Sequence, residues 1–502
     1  MKLEKVSARA LVRKVKGKKI ICFGAGQRLD HISQDFPECS FEKNYSCIVD
    51  NNRELWGKSR NVNGLEIEVK SPEYLRDYKE NNTVILITTD RVKEVFQQLE
   101  GYEGAAKLPC YQYPTVRYKA STMWNWLFNL LPLRNTILFQ GEGDSCENAL
   151  AVTEYMKESG LINKYKIAWL CSHPDRFTGT GTEVFINRRA GFEERSIWKI
   201  WKYHYYRSTS KYLMYENKYI QKYRNDQISV YMKHGTFMLK DVKGRIVIPP
   251  NVNHAICTSE NYAAHAADQE SITQEKLLIC GSPRLDFLYE SKNVLQTLGY
   301  YMENVRYMIW LPTMRQASYS NTRMDSKKVF PYGIPLVGSE KDFELLNDRL
   351  REKKTMLIIK PHPRQDLSVF KIEGYSNIIL IPQERLDEYM FTIHSLMREC
   401  DALISDYSSV AFDYMLLDRP IAYTTDDMEE YSIGFSVEDP FKYMPGRKLN
   451  TMDGLIQFVE DCSIGKDEYK TERRRVRDFI HQYQDQNNSK RFLELLGIYE
   501  EE

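Results

Sequence analysis

The sequence predicts an α/β protein whose parallel sheets are built from strands that alternate with helices. Short apolar runs of strand length recur along the 502 residues, and segments with helical periodicity lie between them. One series of strands runs from residue 136 to 280 and a second from 307 to 424, and a shorter α/β pattern precedes both. Because this alternation is typical of doubly wound sheets, we expect two facing Rossmann-like domains with a cleft between them and an additional N-terminal Rossmann-like domain.

Length and composition agree with three globular domains. At about 150 residues per domain, a chain of 502 residues has room for three, and 42% hydrophobic residues suffice for sizeable cores. We place the domains at residues 1–117, 118–297 and 298–502. The net charge of +1 gives no general case for nucleic-acid binding, so no nucleic-acid partner is expected.

The cysteine pattern and the hydropathy predict a cytoplasmic protein. The 10 cysteines are scattered, without a CxxC pair or zinc spacing, and the N-terminus has no signal-peptide pattern. We therefore expect reduced thiols. No apolar run reaches about 18 residues, so no membrane-spanning helix is expected.

A glycine pair after the first predicted strand marks a candidate nucleotide site in the N-terminal domain. Gly24 and Gly26 follow the strand at residues 18–23, and Asp50 closes the next strand. This is the outline of a dinucleotide-binding motif. Leu29 stands where the third glycine of the motif would be, so the role of this domain stays open.

Two segments combine aromatic and cationic or amide side chains at helical length. The first spans residues 123–131 and contains two tryptophans, and the second spans residues 196–207, where Trp, Tyr, Lys and Arg interleave. Each is either a helix that packs its aromatic face inward or a surface that meets a membrane interface. The second segment could also stack nucleic-acid bases.

The residues that carry chemistry follow the predicted strands. His234 comes two residues after a strand, and Gly235 beside it allows close backbone approach to a ligand. A neutral imidazole is suited to act as general base for a hydroxyl nucleophile. The alternative is a histidine that serves only as a cap or in the core. Thr236 completes this motif.

Cationic side chains follow three other strands. Arg284 could bind a phosphate in a bidentate manner, or it could instead pair with Asp286. Arg315 follows another strand in the same way. The segment KPHPR at residues 360–364 presents His362 between Lys360 and Arg364 on a loop stiffened by prolines, which suits a leaving phosphate.

The segment SDYSSVAFDYMLLDRP at residues 405–420 predicts a strand that feeds a helix through small hydroxyl residues. Free backbone N–H groups near Ser408 and Ser409 would form an anion site there, or the serines could serve as an ordinary cap. Asp413 could accept a ribose hydroxyl or cap a neighbour. We expect an apolar helix face formed by Val410, Tyr414 and Leu417.

Together these motifs provide a base, several cations and a helix start at strand ends, where open α/β sheets bind ligands. The combination suits attack by a hydroxyl on an activated diphosphate. No D-x-D carboxylate pair or His/Asp/Glu spacing for a divalent ion is present in the sequence, so neither a metal nor a cofactor is expected.

Five ordered motifs resemble the CDP-glycerol glycerophosphotransferases, which are the teichoic-acid primases and polymerases of bacterial cell walls and related capsule enzymes. They are HGT at 234–236, GSPRLDFL at 281–288, PTMR at 312–315, KPHPR at 360–364 and SDYSSVAFDYMLLDRPIAY at 405–423. The likeness covers about residues 135 to 495, and the first 117 residues lie outside it.

The resemblance implies a GT-B-like fold and a metal-independent transferase attached peripherally to the inner face of the cell membrane. Such an enzyme moves glycerol phosphate or ribitol phosphate from a CDP-activated donor to a hydroxyl of a lipid-linked or polymeric acceptor and releases CMP. By matching position, His234 is the base and His362 with Arg284 holds the diphosphate. In the same way, Pro312 and Thr313 line the nucleotide site, Ser408 and Ser409 bind phosphate, and Asp413 contacts the donor.

Two departures from the family pattern leave the donor open. His-Gly-Thr is followed by Phe237-Met238-Leu239-Lys240 where Pro-Leu-Lys is common, and Met314 stands where tryptophan is usual. One alternative function is a GT-B glycosyltransferase that uses a CMP- or UDP-sugar. A second is a non-catalytic nucleotide-binding regulatory protein whose first domain performs the recognition.

Overall fold

The fold described here is that of a computed structural model. It describes residues 2–6, 8–25, 45–62, 65–89, 91–112, 119–141, 146–177, 181–188, 190, 196–236, 238–246, 248–313, 328, 330–363, 365–372 and 374–499. The chain divides into two compact units, of which the first comprises Met1–Leu127 with Arg189–His204 and the second Phe128–Arg188 with Tyr205–Glu502. The division into three domains predicted from the sequence is a finer one and stays a prediction.

The first unit contains a sheet in the order β1-β7-β6-β2-β3-β5-β4, in which only β4 and β5 pair antiparallel. Helices cover both faces of this sheet, so β6 is buried along its whole length. The strands are β1 (Leu3–Lys5), β2 (Lys19–Phe23), β3 (Tyr45–Val49), β4 (Ser59–Val62), β5 (Leu65–Lys70), β6 (Thr83–Ile87) and β7 (Cys110–Gln112). The helices are α1 (Ala8–Val15), α2 (Val92–Glu100), α3 (Glu103–Ala106) and α4 (Lys119–Phe128).

The second unit begins with a parallel sheet in the order β10-β9-β8-β11-β12-β13-β14. Its strands are β8 (Arg134–Gln140), β9 (Lys166–Cys171), β10 (Glu183–Asn187), β11 (Ser210–Tyr215), β12 (Ile228–Tyr231), β13 (His254–Cys257) and β14 (Leu277–Ile279). Its helices in this part are α5 (Glu147–Glu158), the last residues of α6 (Ile197–Thr209), whose first eight residues belong to the first unit, and α7 (Glu260–Glu270). Strands β10 and β11 were not predicted from the sequence. Strand β11 follows α6 without a turn and carries Lys, Ser and Tyr among its apolar residues, so its pattern resembles a continuation of that helix.

The third sheet is also parallel and has the order β17-β16-β15-β18-β19-β20. Its strands are β15 (Arg306–Trp310), β16 (Thr355–Ile359), β17 (Ile378–Leu380), β18 (Ala402–Ser405), β19 (Ile421–Thr424) and β20 (Arg447–Leu449). The helices of this part are α8 (Val294–Thr297), α9 (Glu340–Glu352), α10 (Gln383–Asp387), α11 (Ile393–Arg398), α12 (Val410–Tyr414), α13 (Met452–Ser463), α14 (Lys470–Ile480) and α15 (Asn488–Leu495). Helix α15 returns to the second sheet, where Phe492 and Leu493 join its core.

The helix after Ser409 is shorter than the sequence suggested. Helix α12 has five residues and continues as a 3-10 turn at Met415–Leu417. Tyr414 is fully buried, but Val410 and Leu417 are only partly buried. The predicted apolar face is therefore wrong, because the helix is enclosed on most sides and buries Phe412 and Asp413 as well.

One tryptophan in each of the two aromatic segments is strongly exposed. Trp126 of α4 is 67% exposed and Trp198 of α6 is 78% exposed. The two helices are joined by a hydrogen bond of 2.8 Å from His204 Nδ1 to Asn125 Oδ1. Trp124 and Trp201 of the same helices are only partly exposed, so each helix buries part of its aromatic surface and both interpretations of these segments stay open. Among the described residues, no helix has both the length and the apolar character that a membrane crossing requires.

Candidate active site

The five predicted motifs all follow the carboxyl ends of parallel strands. The motif of His234 follows β12 and that of Arg284 follows β14 in the second sheet, whereas those of Thr313, His362 and Ser408 follow β15, β16 and β18. Strands β16, β15 and β18 are neighbours in the third sheet. Their motifs therefore share one edge, which is where α/β sheets bind ligands.

The His234 loop reaches the third sheet through a close approach of Gly235 to Ser409. A Cβ atom added to Gly235 would lie 2.4 Å from Ser409 Oγ and 3.2 Å from Ser409 Cβ. Thr236 is buried, whereas His234 itself is exposed. Two motifs that are about 170 residues apart in sequence therefore lie in direct contact.

The loops after β15 and β18 are joined by the carboxylate of Asp406, which is fully buried. Its Oδ2 accepts hydrogen bonds from the backbone N–H and the hydroxyl of Thr313, at 2.8 and 2.9 Å. Its Oδ1 accepts from the backbone N–H of Ser408 at 3.1 Å. The hydroxyl of Thr313 is thus engaged within the protein. Ser409 stands at the start of α12, and its side chain makes no capping hydrogen bond.

The KPHPR loop places one cation inside the protein and one imidazole at its surface. Lys360 is only 7% exposed, and its Nζ donates to Gln383 Oε1 at 2.7 Å. Burial lowers the pKa of Lys360 to about 8. His362 is exposed. Two further predicted residues, Arg364 of this loop and Arg315 after β15, lie outside the described residues.

Arg284 and Asp413 form a buried ion pair that joins the second and third sheets. Both side chains are 3% exposed, and Arg284 Nη2 lies 3.0 Å from Asp413 Oδ2. Asp413 Oδ2 also accepts from Nε2 of His394 at 2.9 Å, and His394 Nδ1 lies 3.0 Å from Glu147 Oε2. The alternative pairing of Arg284 with Asp286 is wrong, because Asp286 instead accepts the first N–H groups of α15.

The charges of this network stabilise one another. Burial alone would raise the pKa of Asp413, but the Arg284 guanidinium and the His394 hydrogen bond outweigh it and lower that pKa to about 2. Burial would likewise lower the pKa of His394, yet the carboxylates of Glu147 and Asp413 raise it above its ordinary value. Arg284 and Asp413 are therefore paired with each other, and Arg284 also lines the small cavity beside the His234 loop; their predicted contact with the donor stays a prediction.

Three residues that were not predicted as site residues adjoin this network. Glu147 and Asn148 begin α5, and Glu216 directly follows β11. Burial raises the pKa of Glu216 to about 7, although a hydrogen bond from the backbone N–H of Asn148 partly offsets it. The order of the second sheet reverses between β8 and β11, and such switch points mark ligand sites. That signal was hidden because β11 was not recognised.

A cavity of about 340 Å³ lies away from these motifs. It opens at the amino ends of β15, β16 and β18, where Arg306, Asp401 and Arg419 line it. A second and much smaller cavity lies behind the His234 loop and is lined by Lys233 and Thr236, among other residues. We assign the candidate site to the carboxyl edge, because the predicted catalytic side chains lie there.

In the N-terminal glycine loop, the carboxylate of Asp50 binds backbone groups of the protein itself. Its Oδ2 accepts from the N–H of Ala25 at 2.6 Å and its Oδ1 from the N–H of Asn52 at 2.8 Å. Gly24 has a φ of 117° and packs against Thr88, so it is needed for close strand packing. Gly26 lies outside the described residues. Nucleotide binding in this domain stays a prediction.

Comparison with known proteins agrees with the motifs. Residues 125–497 match the model of the family CDP-glycerol:poly(glycerophosphate) glycerophosphotransferase. The chain belongs to this family. The chain is similar to a teichoic acid poly(ribitol-phosphate) polymerase of Bacillus spizizenii, with 25% identity over 48% of this chain, and it spans only 36% of the length of that relative. A teichoic acid ribitol-phosphate primase of the same organism is 22% identical over 59% of this chain and 77% of its own length.

A teichoic acid poly(glycerol phosphate) polymerase of Bacillus spizizenii is 24% identical over 66% of this chain and 85% of its own length. Among solved structures, a variant of the wall teichoic acid polymerase TagF superposes with a TM-score of 0.59 and 18% identity, over 75% of this chain and 93% of that one. A TagF variant soaked with CDPG gives a TM-score of 0.57 and 17% identity, over 82% and 98%. The expected GT-B-like α/β fold of the family is thereby confirmed.

Proposed function

We propose that the protein transfers a polyol phosphate from a CDP-activated donor to a hydroxyl of a lipid-linked or polymeric acceptor and releases CMP. The observation that carries the proposal is the contact of the His234 loop with Ser409, which brings a base and an anion-binding loop to one crevice. Family membership supports the same chemistry. Glycerol phosphate is the first donor to test and ribitol phosphate the second, since relatives with either name match.

In the proposed reaction, the acceptor hydroxyl oxygen attacks the phosphorus that carries the polyol. A bond forms between that oxygen and phosphorus, and the bond from phosphorus to the oxygen of CMP breaks. His234, exposed beside the crevice, takes the proton of the hydroxyl. His362 and the buried cation of Lys360 balance the negative charge that develops on the leaving phosphate.

The loops after β15 and β18 would form a rigid binding site for the donor. Asp406 holds the backbone of Thr313 and of Ser408 at fixed distances, so the diphosphate would meet preorganised groups. Ser409 faces Gly235 across the crevice and is placed to donate its hydroxyl to a phosphate oxygen. The Arg284–Asp413 pair holds the second and third sheets together around this binding site.

The test measures CMP release from CDP-glycerol and CDP-ribitol with a lipid-linked acceptor analogue. We expect His234→Ala and His362→Ala each to lower the rate at least about 100-fold, which is typical for loss of acid–base or charge-stabilising groups. The matched control is His254→Ala, because His254 begins β13 at the opposite edge of the sheet. Near wild-type rates in both variants would refute the assigned roles.

A donor panel separates this proposal from its alternatives. Sugar transfer from a CMP- or UDP-sugar without activity on CDP-polyols would favour a glycosyltransferase. Absence of turnover with any donor, together with tight nucleotide binding by the first domain, would favour a regulatory protein. Mass spectrometry of the product identifies which group has been transferred.

We also infer that the protein attaches peripherally to a membrane through α4 and α6. Met123, Trp126 and Trp198 are more than half exposed on helices whose sequences contain no acidic residue. Exposed tryptophans with neighbouring cations favour an anionic lipid interface. Trp126→Ser with Trp198→Ser should weaken co-sedimentation with phosphatidylglycerol vesicles, whereas the control Tyr301→Ser, at a residue that is 59% exposed elsewhere, should not. Equal binding by both variants would refute this attachment.

A further inference from the structure

The side chain of Asn148 is completely buried and uses its whole hydrogen-bonding capacity. Its Nδ2 donates to the backbone carbonyls of Met232 and Lys233, at 2.9 and 2.8 Å. Its Oδ1 accepts from the hydroxyl of Ser282 and from the backbone N–H of Arg284, at 2.9 and 3.0 Å. A single amide therefore ties the segment before His234 to the turn that carries Arg284.

The segment held by Asn148 has an unfavourable backbone conformation. Lys233 has a φ of 51°, in the left-handed region of the backbone that residues other than glycine and asparagine rarely adopt. Such a conformation persists only where surrounding contacts enforce it. Asn148 binds the carbonyl of Lys233, and Glu270 pairs with its ammonium group at 2.9 Å. These two contacts set the direction in which the chain enters His234.

We propose that Asn148 is a positioning residue for His234. It holds the carbonyls of Met232 and Lys233 and thereby fixes the backbone from which the imidazole of His234 projects. This inference rests on the proposed function of His234 as the base. Asn148 itself does not contact the substrate, so its effect acts through His234.

Asn148→Asp separates this role from general support of the fold. The carboxylate keeps the shape of the amide and the acceptor for Ser282 and Arg284, but it loses both donors toward the carbonyls before His234. We expect the kcat for CMP release to fall about 10- to 100-fold with a KM within twofold, because small misplacement of a reacting group has such effects. Protonation restores one donor, so the deficit should shrink between pH 8 and pH 6.

The matched control is Asn347→Asp. Asn347 is also buried, and its Oδ1 accepts from the backbone N–H of Asn377 at 2.9 Å, at the start of β17. This variant tests the cost of altering a buried asparagine away from the His234 loop. We expect its kcat and its pH profile to equal those of the wild type.

A double-variant cycle tests whether Asn148 acts through His234. In the His234→Ala background, Asn148→Asp should cause no further loss of the residual rate. An equal loss in both backgrounds would overturn the proposal, as would a wild-type kcat for Asn148→Asp. If Asn148→Asp does not fold, Asn148→Ser, which adds no charge, is measured in the same cycle.

A spectroscopic measurement keeps the inference separate from the proposed function. The ring signal of His234 is assigned in the ¹H–¹³C spectrum by its loss in His234→Ala and is followed with pH. Asn148→Asp should shift this signal and its titration midpoint, whereas Asn347→Asp should leave both unchanged. If the wild type releases no CMP from any CDP-polyol, the proposed function fails, but the spectrum still decides whether Asn148 positions the ring. An unchanged His234 signal would refute the positioning.

Discussion

Replacing Arg284 with methionine removes one partner of the buried ion pair that joins the two sheets of the second unit. The variant loses the contacts of the guanidinium with Asp413, at 3.0 to 3.2 Å, and its hydrogen bond to Ser282 Oγ at 3.0 Å. Asp413 keeps His394 at 2.9 Å, but a carboxylate that is 3% exposed then has only one cationic partner.

The expected loss in the free energy of unfolding follows from the burial of Asp413. Removing one partner of a buried pair typically costs about 3–5 kcal/mol, because the other charge stays desolvated. The second unit has about 360 residues, and an unfolding entropy of roughly 2.1 cal/mol/K per residue implies about 0.75 kcal/mol/K. A loss of about 4 kcal/mol should therefore lower the Tm by roughly 5 °C.

Scanning calorimetry at pH 7 measures this shift, with Arg306→Met as the control. Arg306 is an exposed arginine at the amino end of β15, so its loss should change stability by less than about 0.5 kcal/mol. The double variant Arg284→Met/Asp413→Asn removes both charges and should recover at least half of the lost Tm. The deficit of Arg284→Met should also shrink at pH 3, because its poorly paired Asp413 can then take up a proton.

Two results would refute this reasoning. If Arg284→Met has the Tm of the wild type, the pair is not the buried and structural contact that the geometry shows. If the double variant is less stable than Arg284→Met, the unpaired charge of Asp413 is not the source of the cost. In the wild type, the pKa of Asp413 is about 2 against an ordinary 3.8. The ionised Asp413 therefore adds roughly 2 kcal/mol to the free energy of unfolding above pH 4, and this stabilisation is lost as the pH falls toward 2.

Three further variants probe the site. Glu216→Gln should stabilise the protein by up to about 3 kcal/mol at pH 8.5 but not at pH 4, as measured by thermal unfolding. The reason is that burial raises the pKa of Glu216 to about 7, so that its ionisation at higher pH opposes folding. A stability difference between variant and wild type that is the same at both pH values would contradict this. Gly235→Ala should lower kcat/KM at least about 10-fold, because the added methyl group would displace Ser409. In a Ser409→Gly background, the same substitution should cause little further loss of kcat/KM. Equal losses of kcat/KM in both backgrounds would contradict the contact. When CDP-glycerol binds at pH 8.5, Lys360, whose pKa is about 8, should take up a proton. Titration calorimetry in two buffers of different ionisation enthalpy measures this proton uptake. Proton uptake that persists in Lys360→Met would contradict the assignment.

Local patterns carried most of the information on the fold. The strands at residues 166–171, 402–405 and 421–424 fall within the two strand series that the sequence predicts. They are short apolar runs bounded by turn residues, and burial on both faces of a parallel sheet selects this composition. Strand β11 was not predicted because Ser, Lys and Tyr interrupt its apolar pattern, and the tertiary packing buries its serine and both tyrosines.

The candidate site was predicted only in part. The motifs of His234 and Ser409 were found because glycine, serine and histidine after a strand form a recognisable pattern. Asp406 was not predicted as a site residue although it stands between two predicted elements, since an aspartate before a serine pair also fits an ordinary turn or helix start. Asn148 and His394 gave no local signal, because a single Asn or His within a helix looks like many others.

The sequence by itself determined the three α/β sheets and the order of the motifs, because strand burial and turn chemistry depend on residues that are neighbours in the chain. Only the tertiary structure decided which charges pair. Arg284 meets Asp413 across 129 residues, and Asn148 meets Lys233 across 85. Such partners are chosen by the packing of whole sheets, since a buried charge or amide must find a complementary group wherever the fold brings one within reach.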